Sequence, residues 1–527
     1  MSDANDKIRV CLINPAYKLD PSEDSNYSMS GYTVPHLGLG YISSFLQEKG
    51  FTVDLLECMG QGISNNDVIE YIGKYNYLII GISVYDENRI NAMRIINKIR
   101  RIKPNVFIFL GGYSPTLSYD LVLRNFEADC CIVGEGEVTT FELIEALKNG
   151  NDFRKVRGIA YLDEDNIIVT EKRALIDNLD ILPFPERAFY KNRTLTMITS
   201  RGCLCNCIYC SIISFYRRNS GSSYRMRSAE NVIEELKVLL KKYADCQFIW
   251  YYDDNFLQAT EENRIRLFKL CSLLKDNHIT IPFNITACSK DIVESEELLK
   301  ELKAVGLNQV FVGIESLCQR QLDFYNKNTT VEKNIKAIKV LTKLGIKMNM
   351  GFIPLDPFVT VGELRESFEN LQHYNILNDA YNIYSIHMQL ISVKGTVLRS
   401  ILDRKGVTKN NDRGYDFINN NIKMLYNVLG RWHKIILPMV CKSDSIAAYE
   451  KKNIKKYRRL NELYANLIRL DIEYFISLCN CIENKDFDDE TIEEHLRYWR
   501  KKYNRLYEVF NEALVVTESV EGDNDYL

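Results

Sequence analysis

Three cysteines in one short segment have the residue type and the spacing of a metal–sulfur site. Cys203, Cys207 and Cys210 follow one another as Cys-x3-Cys-x2-Cys within residues 200–211. Three thiolates this close together suit an iron–sulfur cluster. A four-iron cluster held by three thiolates has one iron without a protein ligand, and that iron can bind a small molecule. The spacing therefore predicts chemistry at a cluster rather than electron storage alone.

A structural zinc site and three unrelated core thiols are the alternatives for this segment. Structural zinc takes four ligands, usually from a second Cys-x2-Cys pair or a pair of histidines. No such partner lies near the segment in the sequence, and Cys205 is the only other thiol within it. We therefore interpret Cys205 as a bystander and the other three cysteines as cluster ligands.

The composition is that of a globular protein with more than one domain. The 527 residues correspond to two to four domains at about 100–200 residues each. The net charge of −3 argues against a nucleic-acid-binding surface, and no apolar run reaches the roughly 18–20 residues of a membrane span. The 15 cysteines form no framework typical of a disulfide-rich domain, and the first residues lack the apolar core of a signal peptide. We expect a protein of the reducing cytoplasm.

Short apolar strands alternate with helices over residues 1–150. The strands are expected at 9–14, 52–56, 77–83, 106–110 and 128–133. This alternation predicts an α/β fold with a doubly wound, Rossmann-like parallel sheet. Ligands of such sheets bind beyond the carboxyl ends of the strands. The residues predicted at that edge are Asn14-Pro15, Ser83, Gly111-Gly112 and Gly134-Glu135-Gly136-Glu137.

A less regular segment, residues 151–194, is expected to be a linker with a hairpin of strands 158–162 and 167–170. A second series of strands and helices over 195–396 predicts a partial (β/α)6 barrel, followed by a helical C-terminal domain at 397–527. The barrel strands are expected at 196–200, 248–253, 281–287, 309–314, 347–352 and 382–390. Chemistry in parallel barrels lies at the carboxyl ends of the strands, and the cysteine segment follows the first of them.

The cysteine segment, with Tyr209 before its last cysteine, resembles the signature of the radical SAM superfamily. In that superfamily S-adenosylmethionine (SAM) chelates the open iron of a [4Fe–4S] cluster, and one electron releases a 5′-deoxyadenosyl radical. The resemblance implies that Cys203, Cys207 and Cys210 hold the cluster. It also implies a low-potential electron donor such as flavodoxin or ferredoxin.

The end of the second barrel strand resembles a SAM-contacting position of the superfamily. Residues 251–256 read Tyr-Tyr-Asp-Asp-Asn-Phe, and the resemblance implies that Asp253 or Asp254 contacts the SAM amino group, as a carboxylate facing an ammonium. The alternative is a helix N-terminus at this place, for which Asn255 is a suitable cap. Both interpretations are compatible.

Two further strand ends carry candidate SAM contacts. Gly313-Ile314-Glu315-Ser316 resembles the Gly-Ile-Glu-Ser segment near the SAM adenine and methionine, which implies a role for Glu315; a turn with a solvated glutamate is the alternative. Ser289, after the third strand, is a candidate ribose contact. Residues 225–230 resemble an Arg-x-Arg-Ser-x-Glu stretch of the superfamily, or form a Ser228 helix cap with surface arginines.

The first domain resembles the cobalamin-binding domain that precedes many radical SAM domains. The matching segments are Pro35–Gly40, Gly81–Ser83, Leu110–Thr116 and Gly134–Glu137. Glycines at strand ends let backbone approach a large flat ligand or its nucleotide tail. The residues for which the resemblance implies cobalamin contacts are Ser83, Gly111, Gly112, Thr116, Gly134, Glu135, Gly136 and Glu137.

One motif of the cobalamin domains is missing. Domains that supply a histidine to cobalt carry Asp-x-His-x-x-Gly after the first strand, whereas residues 14–19 read Asn-Pro-Ala-Tyr-Lys-Leu. We interpret His36, at the start of a helix, as an ordinary residue rather than a ligand. Cobalt would then lack a histidine from this motif. A domain that keeps the fold without binding cobalamin is the alternative.

Taken together, the two resemblances imply a cobalamin-dependent radical SAM enzyme, and specifically a C-methyltransferase. The 5′-deoxyadenosyl radical would abstract hydrogen from an unactivated carbon, and methylcobalamin would donate the methyl group. Radical cyclisation, rearrangement or oxidation without methyl transfer is an alternative. A cobalamin-free modification of a peptide natural-product precursor is another, and a non-enzymatic sensor is a third. The expected substrate is a small molecule or a peptide.

Overall fold

The computed structural model describes residues 8–17, 34–374, 376, 386–409, 413–440, 446, 453–484 and 488–515. Within these residues the chain forms an N-terminal sheet covered by helices, a barrel-like second sheet, and a helical C-terminal region. The α/β architecture predicted from the sequence is therefore confirmed.

The N-terminal sheet has seven strands in the order β2-β1-β3-β4-β5-β6-β7. The strands are β1 (Arg9–Asn14), β2 (Thr52–Glu57), β3 (Ile79–Ser83), β4 (Phe107–Gly111), β5 (Cys130–Ile132), β6 (Ile159–Asp163) and β7 (Asn166–Val169). The first five are parallel, as predicted. The predicted hairpin is β6–β7, which pairs antiparallel with β5 and so extends this sheet instead of forming part of a separate linker.

Helices cover both faces of this sheet because its strands are apolar on both sides. Alternate residues of β1 pack into two different cores, with Cys11 and Ile13 in one and Val10 and Leu12 in the other. The helices of this domain are α1 (Leu37–Glu48), α2 (Cys58–Gln61), α3 (Asn65–Lys74), α4 (Arg89–Ile102), α5 (Tyr113–Leu117), α6 (Tyr119–Asn125) and α7 (Glu137–Lys148). The doubly wound arrangement follows from this pattern.

The strand order creates a ligand crevice at one edge of the sheet. From β1 the next strand, β2, is added on one side, whereas β3 and the strands after it are added on the other side. Ligands of such sheets bind outside the carboxyl ends of the strands at this switch point, between β1 and β3. Asn14 and Ser83 end these two strands. The loop that follows β3 and the start of α1 therefore border the crevice.

The second sheet has five parallel strands in the order β14-β13-β12-β11-β8, and two short strands pair beside it. The strands are β8 (Thr194–Met197), β9 (Ser200–Arg201), β10 (Arg225–Met226), β11 (Phe248–Tyr251), β12 (Phe283–Cys288), β13 (Leu307–Glu315) and β14 (Lys347–Phe352). The predicted bounds of the first strand, 196–200, are wrong. The chain leaves the sheet after Met197, because Thr199 and Ser200 hydrogen-bond to Asp253 and β9 pairs with β10 instead.

The predicted sixth strand is described only in part. Residues 382–385 of the expected strand 382–390 lie outside the described residues. In the part that the structure describes, Gln389 forms a single parallel bridge with Leu355. The strands described for the barrel sheet are therefore five, not six.

The helices of the second half pack the barrel and the C-terminal region into one core. They are α8 (Ser211–Tyr216), α9 (Ala229–Lys242), α10 (Glu261–Asp276), α11 (Ser289–Glu294), α12 (Glu296–Ala304), α13 (Gln319–Phe324), α14 (Val331–Lys343), α15 (Val361–His373), α16 (Val397–Arg404), α17 (Asn420–Val440), α18 (Ile454–Glu483) and α19 (Asp489–Val515). Phe368 of α15 stacks on Phe475 of α18 with ring centroids 3.7 Å apart. Among the described helices, none combines the length and apolarity of a membrane span.

Candidate functional site

The cysteine segment forms a loop between β9 and α8. Cys203 and Cys207 are buried, and Cys210, the residue before α8, is partly exposed. Gly202 starts the loop with φ +89°, and a Cβ atom there would lie 1.6 Å from the carbonyl oxygen of Ser223. Only glycine fits this close approach, so Gly202 fixes how the chain enters the loop.

The loop offers a set of sulfur atoms in an apolar setting. Cys203 and Cys207 pack with Ile213, and Tyr209 and Cys210 lie against them. Burial raises the pKa of Cys207, and burial raises that of Cys210 to about 11. Thiolates are stabilised when they bind a metal, which releases their protons. These residues could hold an iron–sulfur cluster, which cysteine thiolates bind.

The two aspartates after β11 have different environments. Asp253 is buried and accepts hydrogen bonds from Thr199 N at 2.6 Å, Thr199 Oγ1 at 2.5 Å and Ser200 Oγ at 2.7 Å. Asp254 accepts one from Gly202 N at 2.8 Å and faces a cavity. Burial raises the pKa of Asp254 to about 6. Asp253 thus fixes the approach to the cysteine loop, whereas Asp254 lines the cavity.

Asn255 does not cap the helix that follows, so the alternative of an N-cap at this residue is wrong. Thr260 caps α10, with its side chain accepting from Asn263 N. The Asn255 side chain instead donates to Asp291 at 2.6 Å and accepts from Cys288 N at 3.3 Å. It joins the end of β11 to the end of β12.

Glu315 is buried and paired, so the alternative of a turn with a solvated glutamate is wrong. Its Oε1 accepts from Lys327 Nζ at 2.8 Å, and its backbone is left-handed with φ +63°. Burial opposes the charge on Lys327, but Glu315 together with the neighbouring tyrosine and cysteine side chains outweighs burial and raises the pKa of Lys327 well above its usual range. A Cβ atom at Gly313 would lie 2.6 Å from Glu315 Oε1, so the glycine makes room for the pair.

Lys327 was not identified from the sequence, and Ser289, predicted to be a ribose contact, has a side chain that bonds within the protein instead. Lys327 could have been sought as the partner that a buried glutamate requires. The Ser289 hydroxyl donates to Asn334 Oδ1 at 2.5 Å and lies 3.3 Å from the hydroxyl of Thr329. Ser289 is buried in this polar group and is not among the residues that line the cavity.

A cavity of about 490 Å³ lies between the carboxyl edge of the N-terminal sheet and the cysteine side of the barrel. Both domains line it, with Ser83, Gly111, Gly112, Gly134, Glu135, Gly136 and Glu137 on the first side and Ile198, Arg201, Phe215, Tyr216, Tyr252 and Asp254 on the second. A Cβ atom at Gly111 would meet no protein atom within 4 Å. The glycine edge thus leaves open space for a large ligand.

Thr116 and Gly134 determine the shape of this edge from its buried side. Thr116 is fully buried, and its hydroxyl accepts from Gly134 N at 3.1 Å. Gly134 has φ +95°, and a Cβ atom there would lie 2.2 Å from the Asn219 side chain. Thr116 therefore holds the loop in place and does not itself line the cavity.

The glutamates of the 134–137 loop bind arginines of the barrel. Arg201 donates to Glu135 Oε1 at 2.9 Å and to Glu137 Oε1 at 2.6 Å, and Arg225 donates to both oxygens of Glu135. Burial opposes ionisation of Glu135, but the charges of Arg201 and Arg225 outweigh it and lower the pKa of Glu135. Ser228 caps α9 as proposed, but the neighbouring arginines are buried rather than on the surface.

His36 lines the cavity with both ring nitrogens engaged. Nδ1 accepts from Leu39 N at 2.9 Å, and Nε2 contacts the Tyr85 hydroxyl and lies 3.3 Å from Ser83 Oγ. Burial lowers the pKa of His36 to about 4, so the ring is neutral at physiological pH. His36 is a helix cap in this arrangement, in agreement with its interpretation as an ordinary residue.

Comparison with known proteins matches both halves of this site. Residues 28–144 match the B12 binding domain family, and residues 197–371 match the radical SAM superfamily. The uncharacterized methyltransferase PH0819 of Pyrococcus horikoshii is 30% identical over 344 residues, which cover 64% of this chain and 72% of that protein. This chain belongs to the cobalamin-dependent radical SAM enzymes.

Two further relatives agree with this family. The anaerobic magnesium-protoporphyrin IX monomethyl ester cyclase of Rubrivivax gelatinosus is 28% identical over 386 residues, covering 70% of this chain and 66% of the cyclase. The structure of the cobalamin-dependent SAM radical enzyme OxsB, solved with aqua-cobalamin and SAM bound, superposes with a TM-score of 0.77 at 21% identity. The match covers 96% of this chain and 81% of OxsB. This likeness confirms the fold across the barrel and the C-terminal helices.

The cofactors of this radical SAM enzyme are a [4Fe–4S] cluster, SAM and cobalamin. The chain fits them, because the thiols of Cys203, Cys207 and Cys210 lie in one apolar loop, and Asp254, which bonds to the first residue of that loop, lines the glycine-edged cavity. The match of residues 28–144 to the B12 binding domain decides against the alternative of a domain that keeps the fold without cobalamin.

Proposed function

We propose that this radical SAM enzyme transfers a methyl group to an unactivated carbon of its substrate. The observation that carries the proposal is the cavity shared by the two domains. Gly111, at the edge of the cobalamin-type sheet, and Asp254, at the end of β11, line the same space. A methyl carrier and a radical source bound on these two sides would face a common substrate.

On the barrel side, Cys203, Cys207 and Cys210 hold the cluster in this proposal. The Asp254 side chain accepts a hydrogen bond from Gly202 N at the start of the cysteine loop. In this proposal the ionised Asp254 carboxylate also accepts a hydrogen bond from the ammonium group of SAM. Lys327 carries a buried positive charge fixed by Glu315, and this pair meets the polar groups of SAM beside the loop. Asp253 and Ser289, whose side chains bond within the protein, position these elements.

On the N-terminal side, backbone rather than charged side chains meets the corrinoid. Gly111, Gly112 and Gly134 bring main chain to the cavity surface without side-chain bulk. Glu135 and Glu137 are occupied by arginines and therefore fix the second domain against the first. When bound, cobalamin supplies the methyl group, and the cluster with SAM supplies the radical.

The proposal includes two partners. A low-potential electron-transfer protein such as flavodoxin or ferredoxin delivers the electron that SAM cleavage requires. The substrate is a small molecule or a peptide that enters the shared cavity, where the aromatic side chains of Phe215, Tyr216 and Tyr252 offer apolar surface on the barrel side.

A radical cyclisation or oxidation without methyl transfer is the second candidate. It is favoured by the similarity to the magnesium-protoporphyrin IX monomethyl ester cyclase, which extends over 70% of this chain. The same cavity would serve either reaction, since both begin with hydrogen abstraction. The fate of the SAM methyl group separates them.

The experiment uses the full chain reconstituted without oxygen with iron, sulfide and hydroxocobalamin. We expect about four irons and one cobalt per chain. With a reductant and SAM carrying a labelled methyl group, 5′-deoxyadenosine should form, and label should reach products after incubation with candidate substrates. Deoxyadenosine without transferred label would favour the second candidate, and SAM cleavage without any cobalt would refute the cobalamin proposal.

Two cysteine variants make a matched pair for this experiment. Cys203→Ala removes a proposed ligand and should abolish deoxyadenosine formation. Cys205→Ser changes a thiol of the same loop that is not a proposed ligand, and it should retain iron and SAM cleavage. Equal loss in both variants would indicate a general disturbance of the loop rather than loss of a ligand.

A further inference from the structure

Two thiols, one within the cluster loop and one next to it, have no role in the proposed reaction. Cys205, within the loop, and Cys288, the last residue of β12, place their Sγ atoms 3.3 Å apart. The Sγ atoms of these two residues and of Cys203 all lie within 4.8 Å of one another. The sequence interpretation of Cys205 as a bystander does not account for this contact between residues 83 positions apart.

The two thiols are held by different elements and differ in exposure. Cys205 is 4% exposed, whereas Cys288 is partly exposed. The Cys288 backbone is fixed through its N–H, which donates to Asn255 Oδ1 at 3.3 Å. A covalent bond of about 2.0 Å between the two sulfur atoms would require an approach of about 1 Å.

We propose that Cys205 and Cys288 form a redox-active dithiol that closes to a disulfide and ties the cluster loop to the end of β12. The bond leaves Cys203, Cys207 and Cys210 available to the cluster. This is a modification site distinct from the cluster ligands, and it does not depend on the reaction that the enzyme catalyses.

A small disulfide of the oxidised glutathione type is the co-reactant. The more exposed Cys288 thiolate attacks one sulfur of this disulfide, which forms a mixed disulfide and releases one small thiol. The Cys205 thiolate then attacks the Cys288 sulfur and releases the second small thiol. The two protein thiols lose two electrons in total, the small disulfide gains them, and the two protons end on the released thiols.

The test treats the cluster-loaded full chain with oxidised glutathione in the absence of oxygen, followed by alkylation and tryptic digestion. Residues 202–217 form one tryptic peptide with four cysteines, and residues 276–290 form another that contains only Cys288. With the cluster in place, Cys205 is the one thiol of the first peptide outside the proposed ligand set. We expect the two peptides linked, lighter by two hydrogens, with fragment ions that place the bond on Cys205 and with the iron content unchanged.

Three variants sharpen the result. Cys205→Ser and Cys288→Ser should each lose the linked peptide. Cys246→Ser should keep it, because this partly exposed thiol contacts the Phe248 carbonyl oxygen and not the loop. Alkylation of both Cys205 and Cys288 in the wild-type chain would overturn the proposal, as would a link through Cys203, Cys207 or Cys210.

The same digestion on iron-free protein separates this proposal from the proposed function. If the chain takes up no cluster, the function fails, but a link between Cys205 and Cys288 in the iron-free chain still supports the dithiol. A link from Cys288 to Cys203 in the iron-free chain would refute it, since Cys203 is the competing neighbour.

Discussion

Arg201 and Glu135 join the two cofactor-binding domains through a buried bond of 2.9 Å. Arg201 lies two residues before Cys203, and Glu135 lies in the loop that borders the cobalamin side of the cavity. The position of the cluster loop is therefore tied directly to the position of the glycine edge. A change in this bond should affect the assembly of both halves of the site.

Glu135→Gln should destabilise the protein strongly. The variant keeps the shape of the side chain but removes the carboxylate that Arg225 pairs with and leaves Arg201 with Glu137 alone. Removing one partner of a buried charge pair costs about 3–5 kcal/mol. Thermal unfolding of the variant and the wild type, under identical conditions, measures the loss. Glu171→Gln is the control, since its pair with Arg157 is exposed and is worth about 0.5 kcal/mol or less. Equal midpoints for the two variants would contradict the structural role of the buried pair.

The affinity for SAM should depend on pH through Asp254. Burial raises the pKa of this carboxyl to about 6, so Asp254 is ionised above that pH and protonated below it. The neutral form does not attract the SAM ammonium, and the affinity should fall about tenfold per pH unit below 6 and stay level above 7. Equilibrium binding to the reconstituted enzyme from pH 5 to 8 tests this. In Asp254→Asn the affinity should be lower and the profile flat; an unchanged profile would exclude Asp254 as the titrating group.

The fold was largely predictable because its strands are short, apolar and separated by regular helices. Buried strands such as β1 and β3 contain almost only apolar residues, and their bounds were predicted to within two residues. The sequence did not reveal that β6 and β7 join the first sheet, because strand pairing depends on contacts far apart in the chain. The break after Met197 was missed for the same reason, since Asp253 causes it from 54 residues away.

The candidate site was predictable where the spacing of residues carries the chemistry. The cysteine loop and the pair Asp253 and Asp254 were located from their motifs, but only the fold distinguishes Asp254, which lines the cavity, from Asp253, which bonds within the protein. The partners of the charged residues were not predicted. In the sequence, Arg225 is compatible with an exposed position, and only the fold brings it to Glu135. The pairing of Glu315 with Lys327 likewise depends on how the chain turns after α13.

Lys327→Met should reduce stability in a way that a second substitution repairs. The single variant leaves Glu315 as an unpaired buried carboxylate, with an expected cost of about 3–5 kcal/mol. The double variant with Glu315→Gln removes that charge, and part of the stability should return. Unfolding midpoints of the wild type, both single variants and the double variant form a cycle that isolates the pair. Additive losses in the cycle would indicate that the two side chains do not interact.

Separate measurements on the same variants report on SAM. If Lys327 and Glu315 meet SAM as proposed, the double variant should recover stability without recovering SAM affinity. Iron content serves as the control, since neither residue is a proposed cluster ligand. Recovery of both properties would assign the pair a structural role only.

Gly111→Phe should block cobalamin while leaving the cluster intact. A Cβ atom at this position meets no protein atom within 4 Å, so the larger side chain extends into the cavity rather than into the core. The variant should fold, keep about four irons per chain, and lose most of the cobalt that the wild type retains after gel filtration. Gly73→Phe is the matched control, because Gly73 lies in α3, also has no neighbour within 4 Å, and does not line the cavity. Normal cobalt content in Gly111→Phe would show that the corrinoid binds elsewhere, and loss of iron together with cobalt would show that the two halves of the site assemble only as a unit.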